Sequence, residues 1–369
     1  MDEVKPTQSE LDKESVLQYG GQAVIEGVMM RSKHYFAVAC RRPDGQIIVQ
    51  REEVDKSIIG KLKWLNKPFL RGTLALIDAM ALGSKALSFA SNVQLQYEAE
   101  QNGQTAVVVS PADKVREEIR DSSAALANGI PMVVSETAPK SGKINDIAIG
   151  SSLAFSFVFG ITLFVLIPTL LTDKIGKYFP PLMAHADHKN LLRNITDGLI
   201  KMAIFFGYIS LISCMKTIQR VFQYHGAEHK AINTLEAGLP LDSKHALEAS
   251  RIHPRCGTSF IFIVLVVNLI VFAVLPRPVW YLRFPLHLAV IPLVAGIAYE
   301  IIKFAGKFRR NPLVMAVFAP GMATQYLTTR PPDASQIEVA LAALYSVMEA
   351  EGHLPAAVQE ASPPEPVTA

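Results

Sequence analysis

Cysteine is scarce in this chain, and that scarcity limits both the redox compartment and the kind of fold. The three cysteines, Cys40, Cys214 and Cys256, are odd in number and widely spaced along 369 residues. Secreted domains that depend on disulfides have dense, usually even sets of cysteines, so no disulfide framework is expected. The sequence therefore favours a reduced compartment.

Signals typical of several other protein classes are missing as well. No glycine-rich phosphate loop precedes a helix, and the net charge is only +3, so we predict neither a nucleotide site nor a nucleic-acid partner. The first thirty residues begin acidic and polar and lack the basic start and apolar block of a signal peptide. We therefore expect the N-terminus to stay in the cytosol.

Apolar residues are abundant and concentrated in long segments. Half of the residues are hydrophobic, although 19% are charged. Four runs are long enough to cross a hydrocarbon layer of about 30 Å as helices, namely 147–171, 198–215, 258–276 and 284–302. We predict a mainly α-helical polytopic membrane protein with about four transmembrane helices and a small N-terminal β element, so that the lipid bilayer is its first partner.

Lysine and arginine are more frequent on one side of these predicted spans. Six lie in the connection 216–257 and four in 303–310, whereas the connections on the opposite side carry four and two. Because positive residues accumulate on the cytosolic side, both chain ends and the connection 216–257 are predicted to be cytosolic, with the spans in the cell membrane.

Strand-like runs occupy 20–31, 35–41 and 46–54, and the turn-forming residues Pro43 and Gly45 separate the last two. Glu26 lies inside the first run and is either exposed at an edge or buried with a partner. The predicted units are a disordered N-terminus (1–19), a small cytosolic β element (20–67), an amphipathic or interfacial helix (68–95), a flexible cytosolic linker (96–146), a four-span membrane domain (147–310), a C-terminal cytosolic segment (311–350) and a disordered tail (351–369).

Two of these units rest on helical patterns. In 68–95, Arg71, Asp78 and Lys85 recur every seven residues as a narrow polar stripe, and a full span would bury all three charges. We therefore predict an interfacial helix there and no fifth span. In 311–350, Ser335 and Glu338 resemble a capping box. One apolar stripe follows and predicts an amphipathic helix: Ile337, Leu341, Leu344 and Met348.

The segment YHGAEHK, residues 224–230, carries the most specific chemical pattern. In an H-x-x-E-H spacing on a helix, His225 and His229 share one face and can bind one metal ion. Glu228 points alongside and is predicted to act as the general base on a metal-bound water. Gly226 weakens the helix by up to about 1 kcal/mol, which predicts either an irregular turn or a close approach by another segment.

A second motif, HPRCG at 253–257, offers an imidazole and a thiol three residues apart. His253 or Cys256 could complete a three-ligand catalytic site with an open fourth position, whereas all four ligands together would make a closed, structural site. Imidazole with thiol favours zinc over magnesium or calcium. Glu236 and Glu300 are additional candidate ligands. Alternatively, these histidines lie on a helix surface and hydrogen-bond to the backbone or to lipid phosphate.

Several motifs, in order, resemble the YqhQ-like bacterial membrane proteins, domain-of-unknown-function family 1385. They are GGQAVIEGVMMRS, KPFLRG, FQYHGAEHK, HPRCGTSF, AGIAYEIIK and PGMATQYLTTRPPDASQIEVALAAL, and they extend from about residue 20 to about residue 348. Members are described as uncharacterised or metal-dependent membrane proteins. The resemblance implies that five residues occupy motif positions of the family, namely His225, Glu228, His229, His253 and Cys256.

Three functions compete on these observations. The first is a metal-dependent membrane enzyme, a hydrolase acting on a peptide or lipid at the cytosolic interface with Glu228 as general base. The second is a non-enzymatic scaffold or transport-related protein with a structural metal site or none. A metal-ion transporter ranks last, because the spans offer few ligands besides Glu300 and His287. Nothing in the sequence sets the substrate, and a homo-oligomer is left open.

Overall fold

The computed structural model describes residues 19–54, 71–101, 132–135, 143–178, 189–276, 279–308 and 311–353. Within these residues the chain is mainly helical, with one small sheet built chiefly from its N-terminal part. All of the predicted disordered N-terminus except Tyr19, which is buried, lies outside the described residues, as do most of the predicted linker and most of the predicted C-terminal tail. The remaining domain boundaries stay predictions.

Within the described part of the chain, the sheet has five strands that lie side by side in chain order. The first four are antiparallel, and the fifth pairs in parallel with the fourth. The fifth strand belongs to the segment 96–146, for which the sequence predicts a linker. The strands are β1 (Gly20–Val24), β2 (Gly27–Arg31), β3 (Tyr35–Arg41), β4 (Ile47–Glu53) and β5 (Met132–Ser135).

The first predicted strand, 20–31, is in fact a hairpin. The turn between β1 and β2 consists of Ile25 and Glu26, and Glu26 has a φ of 51°, in the left-handed region. A positive φ is uncommon for glutamate, which explains why the pattern did not reveal this turn. The Glu26 carboxylate is partnered, because it binds the guanidinium of Arg220 and accepts a hydrogen bond from the Tyr224 hydroxyl at 3.2 Å.

The described helices are, in chain order, α1 (Arg71–Gln101), α2 (Lys143–Ile161), a π-helical turn (Thr162–Leu166) that runs into α3 (Ile167–Tyr178), α4 (Lys189–Ile212), α5 (Lys216–Glu236), α6 (Ser243–Glu248), α7 (Gly257–Val274), α8 (Trp280–Lys307), α9 (Pro312–Ala323), α10 (Gln325–Thr328) and α11 (Ala334–Ala350).

Helices cover both faces of the sheet. Successive side chains of a strand point to opposite faces, so each strand contributes to two clusters. One face, with Val28 and Met30, packs on α5 and α11. The other, with Met29 and Phe36, packs on the second half of α1, which contributes Leu82, Ala86, Phe89, Ala90 and Val93. The sheet thereby positions α5, which carries the H-x-x-E-H motif.

The last helix, α11, is more deeply buried than its predicted amphipathic pattern suggests. All four residues of the predicted apolar stripe are buried, and so are nearly all their neighbours. The capping box was placed two residues too late. It consists of Asp333 and Gln336, whereas Ser335 donates to Asp333 and Glu338 pairs with Arg41.

Among the described residues, five helical segments are long and apolar enough to cross a membrane, one more than the four predicted. They are Arg71–Gln101, Ala154–Tyr178, Leu191–Ile212, Gly257–Val274 and Pro285–Ala305. The last four contain most of the predicted spans. The first is the helix for which the sequence predicts an interfacial position.

The polar stripe of α1 is a packing surface, and each of its charges has a partner. Arg71 pairs with Glu300 at 2.5 Å, Asp78 with Arg31 at 2.5 Å and Lys85 with Glu52 at 3.4 Å. A charge is tolerated inside a protein where it has a partner. These three charges are therefore no argument against a fifth apolar helix.

A break separates α4 from α5, the helix that carries His225. Helix α4 ends at Ile212, and Met215 has an extended conformation before α5 begins. The Gln219 side-chain amide donates to the carbonyl of Ser213 at 3.1 Å, which satisfies an acceptor left free by the break. Because of this break, α5 can leave the direction of α4 and pack on β1, β2 and α11.

Acid should loosen the contact between the end of α11 and the start of β3. The Glu351 carboxylate accepts hydrogen bonds from the Ser32 hydroxyl at 2.5 Å and from the His34 main-chain N–H at 2.9 Å. Burial alone would raise the pKa of Glu351, but these hydrogen bonds outweigh burial and lower the pKa from 4.5 to about 2. The ionised group thus stabilises the fold above about pH 4.5, and this contribution disappears as the pH falls towards 2.

We therefore expect the free energy of unfolding of the wild type to fall more steeply between pH 4.5 and 2 than that of Glu351→Gln. Chemical unfolding across this pH range would measure the difference, with Glu248→Gln, an exposed glutamate on α6, as the matched control. Parallel profiles for wild type and Glu351→Gln would contradict the prediction.

Candidate metal centre

Three of the predicted ligands converge between α5 and the start of α7. His225 and His229 lie on successive turns of α5, with ring centroids 4.4 Å apart. Nε2 of His225 is 3.2 Å from Sγ of Cys256. One ring nitrogen of each histidine and the sulfur all lie within 4.8 Å of one another. Tetrahedral zinc holds such atoms roughly 3.3–3.8 Å apart, so a small inward shift would close the site.

Main-chain carbonyls orient both imidazoles. Nδ1 of His225 lies 2.8 Å from the carbonyl oxygen of Thr328, and Nδ1 of His229 lies 2.6 Å from that of Arg251. A carbonyl can only accept, so each Nδ1 carries the proton and each Nε2 keeps a lone pair. This is the tautomer that a metal-binding histidine needs, held by the kind of outer partner that metal sites use.

Cys256 is the N-cap of α7. Its sulfur accepts a hydrogen bond from the main-chain N–H of Thr258 at 3.4 Å and lies 3.2 Å from the Thr258 hydroxyl. The positive end of a helix and its free N–H groups favour a negative charge. Cysteine binds metals as the thiolate, so Cys256 brings a candidate ligand atom to this helix end.

His253 does not join the three converging ligands, although its ring centroid is 5.8 Å from that of His229. Its main-chain N–H donates to the side chain of Gln325, whose amide donates back to the His253 carbonyl, both at 2.8 Å. Nε2 of His253 lies 3.4 Å from Glu236, which also binds Arg255. Burial lowers the pKa of His253 and outweighs the opposite effect of Glu236, so the ring is neutral near pH 7.

Neither additional carboxylate from the sequence joins the three ligands. Glu236 is engaged by His253 and Arg255, and Glu300 by Arg71. Both carboxylates are therefore already partnered within the fold.

Glu228 is buried next to His225, against β1. A methyl group built on Gly21 would lie 2.9 Å from Cγ of Glu228, so only glycine leaves room for this carboxyl group. Burial raises the pKa of Glu228 to about 7, although His225 and the Gly21 N–H act in the opposite direction. A carboxyl group with a pKa near 7 can both accept and release a proton at neutral pH. Glu228 is not one of the three converging ligands.

The outer partners of the centre were missed by the sequence analysis. Thr328 and Arg251 contribute main-chain carbonyls, and a carbonyl leaves no signature in a sequence. Gln325 contributes its side chain and lies in the PGMATQYLTTR motif, which carried the family resemblance but no assigned role. That motif was the one available signal for the segment that supplies the Thr328 carbonyl and the Gln325 side chain.

Gly226 allows the segment around Thr328 to pack closely against α5. A methyl group built there would collide with the carbonyl oxygen of Arg330, two residues after Thr328. The main-chain N–H of Arg330 also donates to the carbonyl of Phe222 at 2.8 Å. The close approach that this glycine suggested in the sequence is confirmed.

Substitution of Gly226 should therefore push the segment around Thr328 away from α5. We expect Gly226→Ala to lower stability by roughly 1–3 kcal/mol despite the better helix propensity of alanine, because the colliding atom belongs to the backbone. Gly207→Ala on α4 is the matched control, since nothing lies within 4 Å of its added methyl group. Thermal unfolding in detergent would compare the two, and equal melting temperatures would contradict the proposed packing.

Comparisons with known proteins agree with the resemblance seen in the motifs. The family described as "Protein of unknown function (DUF1385)" matches residues 67–350. The chain is 33% identical over 337 residues to "Uncharacterized protein YqhQ" of Bacillus subtilis (strain 168), an alignment covering 90% of this chain and 93% of the relative. No solved structure matches the chain. The chain, including the residues of the candidate metal centre, therefore belongs to the DUF1385 family.

Proposed function

We propose that this protein is a zinc-dependent hydrolase of the cell membrane whose metal ion is bound by His225, His229 and Cys256. One observation carries the proposal: both imidazoles are held with Nε2 available, and a helix-capping thiol lies 3.2 Å from one of them. Imidazole and thiolate together favour zinc among the common divalent ions.

Hydrolysis is the chemistry that this ligand set supports best. Three protein ligands leave the fourth position of a tetrahedral zinc open, as catalytic sites require. A zinc ion there would supply a Lewis acid and an acidic water. Glu228, with a pKa of about 7, is the proton acceptor and then the proton donor. Glu228 is buried, so bulk water has little access to its carboxyl group.

The centre lies at the boundary of an apolar layer. Cys256 immediately precedes α7, an uncharged helix long enough to cross a membrane. The four long apolar segments between Ala154 and Ala305 expose many large hydrophobic side chains, which supports their burial in lipid. We infer from the distribution of Lys and Arg that the centre faces the cytosol, where its substrate would be a membrane lipid or a peptide at the interface.

A structural metal site is the alternative, and burial favours it. His229 and Cys256 are only 1% and 7% exposed. A small movement of His253 towards His229 would fill the fourth position and close the site. In that case the protein is a scaffold or transport-related component without turnover.

The metal content of the purified protein tests the centre itself. We expect about one zinc ion per chain in detergent-purified wild type and none in the His225→Ala, His229→Ala double variant. His245→Ala, which removes a histidine paired with Asp242 on α6, should keep the metal. Elemental mass spectrometry would make the comparison, and a wild type without zinc even after reconstitution would refute the centre.

Glu228→Gln separates the enzyme from the structural site. We expect this variant to keep its zinc and melting temperature but to lose hydrolysis of lipids in bacterial total-lipid vesicles by about 10²-fold or more, because it cannot take up the proton. Glu248→Gln should retain the wild-type rate. Product formation is measured by mass spectrometry, and an unchanged rate in Glu228→Gln would exclude Glu228 as the general base.

A further inference from the structure

Helix α9 is a short apolar helix with one uncovered side. It has twelve residues and no charge, and it is too short to cross a layer of about 30 Å. It packs on α7, where the Ser259 hydroxyl donates to the Gly321 carbonyl at 3.2 Å. Away from that contact, Leu313 and Val317 lie one turn apart and are 76% and 75% exposed.

The chain leads directly from α9 into the candidate metal centre. Gln325, two residues after the end of α9, holds the loop that carries His253. Thr328, at the end of α10, provides the carbonyl that orients His225. A molecule bound along α9 towards α10 would therefore reach the centre.

An aromatic side chain and a cation follow at the end of this apolar helix. Tyr326 is 60% exposed, and the guanidinium carbon of Arg251 lies 5.6 Å from the centroid of its ring. The guanidinium donates to the Thr329 carbonyl at 3.1 Å, and among the described residues no carboxylate pairs with it. Tyrosine and arginine beside an apolar surface are typical of the level of lipid headgroups.

Arg251 also connects this surface to the centre. Its main-chain carbonyl orients His229, while its side chain remains available to an anion. Lys230 lies nearby, because its side-chain nitrogen donates to the main-chain carbonyls of Leu247 and Ala249, just before Arg251 in the sequence. An anionic group on Arg251 would thus lie beside a residue that holds one of the metal ligands.

We propose that the α9 surface, defined as Leu313, Val317, Tyr326 and Arg251, binds a membrane lipid with an anionic phosphate headgroup. The acyl chain lies on Leu313 and Val317, and the phosphate binds Arg251. We further assign such a lipid as the substrate of the zinc centre, and this second step rests on the proposed function. A lipid fits better than a protein partner because α7 and α8, which contact α9, also expose large apolar side chains such as Ile261 and Phe304.

Native mass spectrometry of the full chain in an uncharged detergent would test the surface. The two probes are phosphatidylglycerol and a diacylglycerol with the same acyl chains, so that they differ in the phosphate headgroup. We expect the wild type to bind phosphatidylglycerol at least about tenfold more tightly. Arg251→Gln should abolish this preference, and Leu313→Ser with Val317→Ser should weaken the binding of both lipids.

Two matched variants and the zinc content make the outcome decisive. Lys244→Gln removes an exposed cation on α6, Ile270→Ser removes an exposed apolar side chain on α7, and both should bind lipid as the wild type does. Equal binding of the two lipids by zinc-loaded wild type, or an unchanged preference in zinc-loaded Arg251→Gln, would overturn the proposal. Lipid preference in a wild type without zinc would support the binding surface but refute the zinc centre and, with it, the lipid's role as substrate.

Discussion

Two main-chain carbonyls decide what the histidines of this protein can do. By accepting from Nδ1 of His225 and His229, the carbonyls of Thr328 and Arg251 leave both Nε2 atoms without a proton. If either carbonyl moved, the ring could rotate or change tautomer, and the ligand set would be lost. The packing that holds these two carbonyls is therefore the constraint on which the centre depends.

Three parts of the chain supply that packing. The sheet supports α5 from one side, with Gly21 facing Glu228. The segment around Thr328 approaches α5 from another side, where Gly226 leaves room for it. The loop before α7 brings Arg251 and Cys256, and the Gln325 side chain clamps this loop by two hydrogen bonds. Residues that are far apart in the sequence thus meet in one small volume, next to the ends of the long apolar helices.

The sequence predicted the features that depend on local pattern. Long uncharged runs identify most of the apolar helices, and the H-x-x-E-H spacing places His225 and His229 on one face of a helix whatever surrounds it. The close approach at Gly226 could also be anticipated, since glycine inside a helix needs a reason. The predictions that agree with the structure are those that depend only on residues close together in the sequence.

The features that the sequence could not supply depend on distant partners. The charges of Arg71 and Asp78 predicted an interfacial helix, because their partners Glu300 and Arg31 lie far away in the sequence. The turn at Glu26 was hidden by an unusual φ, and β5 by the surrounding polar sequence. His253 has the chemistry of a ligand, but Gln325, far along the chain, holds its loop so that the ring lies outside the group of three.

X-ray absorption at the zinc edge of the purified protein tests the central claim most directly, because it counts the ligand atoms around the metal. The structure predicts two imidazole nitrogens at about 2.0 Å, one sulfur at about 2.3 Å and one further light atom, with the sulfur absent in Cys256→Ser. A wild-type spectrum without sulfur, or with an unchanged sulfur contribution in Cys256→Ser, would contradict the proposed centre.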